Sequence, residues 1–371
     1  MSNIILDTLQ GKKTDRVPVA PFINVNYIDE FYGEHNMDRV AKSIEVYKHF
    51  GFDIIFRNST VNYLDETALS ADNWKVTSTR TDISEGDHDV LTVIETPEKQ
   101  LRQIKQYRTN TPFEVVEACV EYYIKDASDF AQFVKYQPPV PVYDCSDTAR
   151  AREIIGDTGC IAPWGQGVFN MVSMHRKLDD LLIDPYLNRA FYGDMMRYFG
   201  DRMLEVIKQY KANGADMVSC GGNVAAGGVV GADYFAEHIL PFEAKFFGSI
   251  NELGLYSIYH NCGDASHLLP LYPQIGMSML ESLTPAPYGD TDLAFAMDTI
   301  PKNITLSGGF DQITLLREGS AKQIRSKVMQ MMDILKKRGN FIFATTDYFN
   351  ENTPEDNVFE FARAAHDYGQ Y

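Results

Sequence analysis

His260 and Cys262 stand on alternate residues where the apolar run Tyr256-Ser-Ile-Tyr-His-Asn-Cys-Gly-Asp264 ends. In an extended segment alternate side chains point the same way, so a neutral imidazole and a thiolate placed here can grip one cation such as zinc. The pair is incomplete, because a tetrahedral zinc takes three or four ligands. The same two residues would also suit a core cysteine beside a hydrogen-bonded histidine. What separates these readings is the place of the pair in the fold.

After residue 110 short β-rich runs alternate with longer amphipathic stretches, the pattern of βα units around a parallel sheet. The expected strands are 17–23, 52–56, 160–164, 216–220, 256–262, 277–281, 304–307 and 341–345, and the expected helices are 38–50, 185–213, 232–253, 265–273, 292–298, 320–338 and 354–368. Gly51, Gly214, Gly254, Gly276 and Gly339 fall just before strands, where a helix end reverses the chain. Eight strands so punctuated predict an α/β fold of the (β/α)8 TIM-barrel type. Two alternating runs around the polar turn Ser84-Glu-Gly-Asp-His88 read as a β-hairpin region inserted after strand two. The expectation is a single domain over 1–371 with a cover region at 58–125, since no Pro- or Ser-rich linker divides it.

The chain has 371 residues, 44% of them apolar and 23% charged, the balance of a soluble globular protein. No basic, apolar leader opens it and no run is long enough for a membrane span, so the expected place is the cytoplasm. Cys119, Cys145, Cys160, Cys220 and Cys262 are scattered without CxxC spacing, which fits a reducing compartment. A net charge of -17 argues against a nucleic-acid partner and against a binding site for a heavily anionic small molecule.

In a TIM barrel the reactive groups gather at the C-terminal strand ends. That rule selects Asn24 and Asn26, Arg57 and Asn58, Trp164, Gln166 and Asn170, and Cys220 and Asn223 after the first four strands. It selects His260, Cys262 and Asp264, Glu281 and Thr284, Asp311, and Asp347 and Tyr348 after the last four.

The His-x-Cys-Gly ending of strand five, Gly308-Gly-Phe-Asp311 at strand seven, and the opening Leu9-Gln-Gly-Lys-Lys-Thr-Asp-Arg-Val-Pro18 together resemble the uroporphyrinogen decarboxylase superfamily. More closely, the chain resembles its corrinoid-dependent methyltransferase branch. Decarboxylases of that superfamily carry an arginine-rich segment after strand one that binds the porphyrinogen carboxylates. Here the segment is Phe22-Ile-Asn-Val-Asn-Tyr27, so the decarboxylase reading loses its contacts.

In thiol-methylating members the resemblance implies zinc held by this His and Cys and by a second Cys shortly before a Thr-Pro. Thr353-Pro354 is present, but six residues before Thr353 stands Asp347. A carboxylate ligand makes the zinc harder and more Lewis-acidic than a second thiolate would, which suits an oxygen leaving group. The resemblance thus implies a zinc-dependent methyltransferase that moves a methyl group from a methoxylated aromatic to the Co(I) corrinoid of a partner protein, the first component of an O-demethylase. The alternative is a methylcobalamin:thiol methyltransferase. A uroporphyrinogen decarboxylase and a non-catalytic binding protein rank below both.

In this reading His260, Cys262 and Asp347 hold zinc, with Glu281 or Cys220 as a further ligand. Asp264, Asp311 and Tyr348 are the catalytic candidates, as acid-base groups or as orienters of the imidazole. Asp311 would equally serve as a helix cap. Asn24, Arg57, Trp164, Gln166, Asn223 and Phe349 are the substrate-binding candidates, with Tyr27, Phe169 and Met171 as further walls for a flat ring. Each aromatic would also suit ordinary barrel lining. No corrinoid module is evident in the chain, so the corrinoid must come on a partner. The reading allows a homodimer.

Overall fold

Pro18, Pro21 and Pro163 shape the parallel sheet by the amide donors they withhold. The computed structural model describes residues 3–34 and 38–371. Met1 and Ser2, part of the opening stretch read for a leader, lie outside the described residues. The strands are β1 (Ile55–Phe56), β2 (Lys75–Asp82), β3 (His88–Glu95), β4 (Gln100–Thr109), β5 (Val115–Glu121), β6 (Cys160–Ile161), β7 (Trp164–Gln166), β8 (Met217–Gly221), β9 (Tyr256–His260), β10 (Met279–Ser282), β11 (Thr305–Phe310) and β12 (Phe341–Thr345).

Six of them form one parallel sheet in the order β12-β11-β10-β9-β8-β7, and β1 pairs β6 in parallel beside it. This is a TIM-barrel-like sheet, but the expected closed eight-stranded ladder is not formed. The run expected as strand one forms no ladder among the described residues, but Val19 bridges Phe343 and the Val19 carbonyl accepts from the Asp53 amide. Its prolines remove two donors, and the Val19 amide is taken by the side chain of Asp53, which Arg16 also holds at 2.7 Å. The run expected as strand three splits into β6 and β7 around Pro163.

Contacts divide the chain into two compact units. The first comprises Met1–Thr60, Cys145–Gly167 and Tyr210–Tyr371 and contains both parallel sheets. Its interior layer is Ala20, Ile55, Cys160, Ala162, Met217, Ile258, Met279 and Ile342, drawn from seven of the eight strand runs and met by Ile5 and Leu9 of helix Ile4–Leu9. Asn3 caps that helix and also donates to the Gly159 carbonyl at 2.8 Å, tying the plug to the sheet. Gly308, at φ 111°, sits where a Cβ would collide with the Ser282 backbone, so only glycine lets β11 approach β10 there.

The second unit, Val61–Asp144 with Val168–Gln209, carries the antiparallel sheet β2-β3-β4-β5. β2 and β3 pair from Lys75↔Glu95 to Asp82↔His88 around the turn at Gly86. The sheet has two more strands than the sequence pattern marks out.

Two expected helices differ. The stretch 265–273 is a series of turns leading to a 3-10 turn at Tyr272–Ile275, because Pro270 and Pro273 remove donors. The stretch 185–213 is two helices, Leu178–Leu187 and Arg189–Ala212, parted at Asn188, whose side chain accepts from the Phe191 amide. No described helix is long and apolar enough to cross a membrane.

Candidate metal centre

The register between β9 and β10 sets Glu281 directly beside His260, so the two side chains share one face of the sheet. His260 Nδ1 lies 2.8 Å from Glu281 Oε2 and 3.3 Å from Ser282 Oγ. Glu281 is in turn held by both terminal nitrogens of Arg57, which arrives from the loop after β1. Arg57 is 1% exposed and its guanidinium lies over the rings of Phe22, at 4.8 Å, and Trp164, at 5.4 Å. A buried bidentate pair of this kind is rigid because either partner alone would be an unpaired buried charge.

With Nδ1 engaged, His260 presents Nε2 to the other side, 3.9 Å from Asp347 Oδ1. Cys262 completes a group whose ligand atoms all lie within 4.8 Å of one another. Asn261, between His260 and Cys262, is buried the other way, donating to the Tyr272 hydroxyl at 2.5 Å. The alternation inferred from sequence therefore extends past the end of β9. Asp347 sits in the loop after β12, fixed by its carbonyl accepting from Thr345 Oγ1 at 2.6 Å and by its carboxylate accepting from the Tyr348 amide at 2.8 Å.

Ligand atoms around a tetrahedral zinc are about 3.4 Å apart for bonds near 2.1 Å, so a modest contraction brings nitrogen, sulfur and oxygen into range. The donor set fits zinc, and its imidazole is oriented through the second nitrogen as metal-bound histidines usually are. The surroundings favour positive charge at His260. Burial opposes it, but contacts with Cys262, Glu281 and Asp347 outweigh burial and push its pKa up to about 10. Glu281 runs the other way: burial would raise its pKa, yet Arg57 and His260 hold it well below the ordinary carboxylate range.

The structure separates the other candidates. Glu281 is held by Arg57 and His260 and stands outside the three-residue group. Cys220 is also outside it, fully buried in β8, where burial and then Glu243 push its thiol far upward. Arg57 is committed to Glu281. Asp311 caps the helical turn Gln312–Arg317, accepting from the Ile313 and Thr314 amides. Asn24 likewise caps helix Val25–Tyr32 through the Tyr27 amide. Phe349 is 1% exposed and packs edge-on against Tyr27. Asp264 follows Cys262 by two residues and its backbone carbonyl accepts from the Gly227 amide. Gln166 ends β7 and Asn223 begins the 3-10 turn after β8, both at C-terminal strand ends.

The aromatic surroundings are compact. Trp164 meets the His260 ring edge-on at 5.5 Å, and Phe22 packs against Trp164 at 5.4 Å and Tyr348 at 5.7 Å. Three contributors lay outside the expected set: Phe22, Ser282 and Tyr47, whose buried hydroxyl bridges the Pro21 and Ile55 carbonyls beside Arg57. No motif signals them. Ser282 and Leu283 have φ of 95° and 49°, a backbone cost that clusters at functional sites.

The profile of the uroporphyrinogen decarboxylase (URO-D) family matches residues 117–368. Among curated proteins the chain is similar to the methylcobamide:CoM methyltransferase MtbA of Methanosarcina acetivorans, at 19% identity over 156 residues, 41% of this chain and 44% of that protein. It is also similar to a methylated-thiol–coenzyme M methyltransferase of Methanosarcina mazei, at 23% over 157 residues, 42% of this chain and 39% of that one. The alignments thus span less than half of these relatives. Among solved structures, a methyltransferase from Methanosarcina mazei shares the fold at a TM-score of 0.71 and 14% identity, covering 98% of this chain and 97% of that one.

Proposed function

Because the chain belongs to the uroporphyrinogen decarboxylase family, we propose from its metal centre that it is a zinc-dependent methyltransferase that passes a methyl group from a methoxylated aromatic to the Co(I) corrinoid of a partner protein. The observation that carries this reading is the grouping of His260, Cys262 and Asp347, a donor set with a single sulfur that could hold a cation. The similarity to enzymes named for methylcobamide and methylated thiols supports methyl transfer rather than decarboxylation. So does the sequence Phe22-Ile-Asn-Val-Asn-Tyr27, which offers no arginine, and the commitment of Arg57 to Glu281.

In the proposed reaction the methyl C–O bond breaks, the bonding pair leaves with the aryl oxygen, and Co(I) supplies the pair that makes the new Co–C bond. Zinc, when bound, supplies Lewis acidity toward the oxygen that takes up negative charge. His260, Cys262 and Asp347 hold the cation, while Glu281 and Arg57 keep the imidazole from turning. Trp164, Phe22 and Tyr348 offer apolar surface near the centre for a flat ring and exclude water there. Tyr348 and Asp264 remain candidates for moving a proton.

The second reading, methyl transfer between a cobamide and a thiol, is favoured by the names of the relatives. Methyl transfer from methoxyarenes to cob(I)alamin, measured against methylation of thiols by methylcobalamin, separates the two. The first reading expects demethylation of methoxyarenes to dominate. Exclusive thiol methylation would replace it with the second.

A further inference from the structure

The loop Gly11–Thr14, Lys302 before β11 and Arg338–Asn340 before β12 lie at the N-terminal ends of the strands, opposite the ends that carry His260 and Asp347. Between them is a cavity of about 390 Å³ lined by Lys12, Lys13, Thr14, Lys302, Arg338 and Asn340 among others. No Asp or Glu side chain lines it. In a chain of net charge -17 this is a local reversal of sign.

Arg338 makes the cavity more than a group of surface lysines. It is 7% exposed, and its terminal nitrogens donate only to backbone carbonyls: those of Ile300, Pro301, Ile304, Gly339 and Asn340. Its Nε has no hydrogen-bond partner, and no carboxylate pairs with its charge among the described residues. Burial accordingly pushes its pKa down to about 10. A buried guanidinium normally has an anion beside it.

Lys13 and Thr14 also line an adjoining hollow that holds Asp7, Asp15 and Asp53. Asp7 pairs with Lys12 at 3.1 Å, and Asp53, in the adjoining hollow with Asp15, pairs with Arg16 at 2.7 Å. Removing Lys12 for its bond to Asp7 leaves Lys13, Lys302 and Arg338, three positive charges facing one cavity. A diphosphate group carries about three negative charges at neutral pH, and lysines bind phosphate as mobile point charges.

We propose that this cavity binds a small molecule carrying a diphosphate group, at the end of the sheet away from the metal centre. The site is independent of the reaction assigned above. Binding there neutralises the lysines and the buried Arg338 and stabilises the fold without reaching the metal ligands.

The test is isothermal titration of inorganic pyrophosphate into the whole protein, wild type and K13E/K302E. Both lysines are exposed, so the double variant keeps the fold, whereas Arg338 ties the 300–304 segment to the turn before β12 and is left intact. The expected result is saturable binding whose affinity falls more than about tenfold in the variant, with methyl transfer unchanged. Equal heats in both proteins would assign the binding to chelation of the bound metal and overturn the site. Absence of wild-type binding would overturn it as well. Citrate binding as tightly as pyrophosphate would overturn the diphosphate assignment.

Discussion

His260 in the first unit and His175 in the second are both buried, and each stands beside a buried arginine held by a carboxylate. Arg57 binds Glu281 in one case, and Arg176 binds Asp184, with a 2.8 Å contact, in the other. The difference lies in the second ring nitrogen. His175 gives Nδ1 to the Met171 carbonyl at 3.0 Å, has Nε2 3.7 Å from Glu66, and stacks on Phe199 at 4.2 Å. Glu66 also accepts from Gln137. Both nitrogens of His175 thus face groups belonging to its own unit's packing, whereas His260 turns one nitrogen toward Cys262 and Asp347. A buried histidine beside a carboxylate-held arginine is therefore compatible with plain structure. What marks a centre is a nitrogen left facing a thiol and a second carboxylate.

The comparison breaks most visibly at the ligands. Cys262→Ala should remove zinc and lower methyl transfer by about a thousandfold or more, since in the proposed reaction the metal would supply the Lewis acidity toward the leaving group. His175→Ala should leave zinc content and specific activity nearly unchanged while lowering stability by about 2–5 kcal/mol, read by denaturant unfolding.

Next come the carboxylates that hold the two arginines. Glu281→Ala should destabilise the fold by about 3–5 kcal/mol, because Arg57 loses its counter-charge in the interior. It should also weaken zinc binding by about 10–100-fold through the freed imidazole. Asp184→Ala should cost comparable stability and leave zinc affinity alone. Equal zinc affinity in both variants would erase the distinction between the two sites.

Thiol chemistry gives a smaller effect that sharpens the assignment. Peptide mapping after iodoacetamide should find Cys262 modified without zinc and protected with it. Cys119, whose thiol burial pushes up to about 11, should react slowly and equally in both conditions. Cys220 should stay unmodified.

The smallest effect concerns Asn24. As a helix cap its replacement by Ala should cost about 0.5–2 kcal/mol of stability and leave kcat/KM for the methyl donor within about twofold. A larger loss of kcat/KM would return Asn24 to the substrate.

His260 and Cys262 were legible because alternation is local, and Asp347 only through the resemblance, which implies a ligand shortly before Thr353-Pro354. The role of Glu281 was not, since it depends on Arg57, a residue 224 positions away. Arg57 looked available to substrate only while its partner was unknown. The parallel strands could be read from apolar runs, but closure of the ladder could not. Pro18, Pro21 and Pro163 sit inside those runs and remove the donors a full ladder needs. Asp311 offered capping and catalysis equally from sequence, and the amides of Ile313 and Thr314 show which bonds its carboxylate makes.

Zinc titration of the wild-type chain against a competing chelator, repeated with Cys262→Ala and Asp347→Ala, tests the central claim most directly. The account predicts a single tight zinc equivalent in the wild type that is lost or greatly weakened in both variants. A wild type that binds no zinc, or variants that bind it as tightly as the wild type, would contradict it.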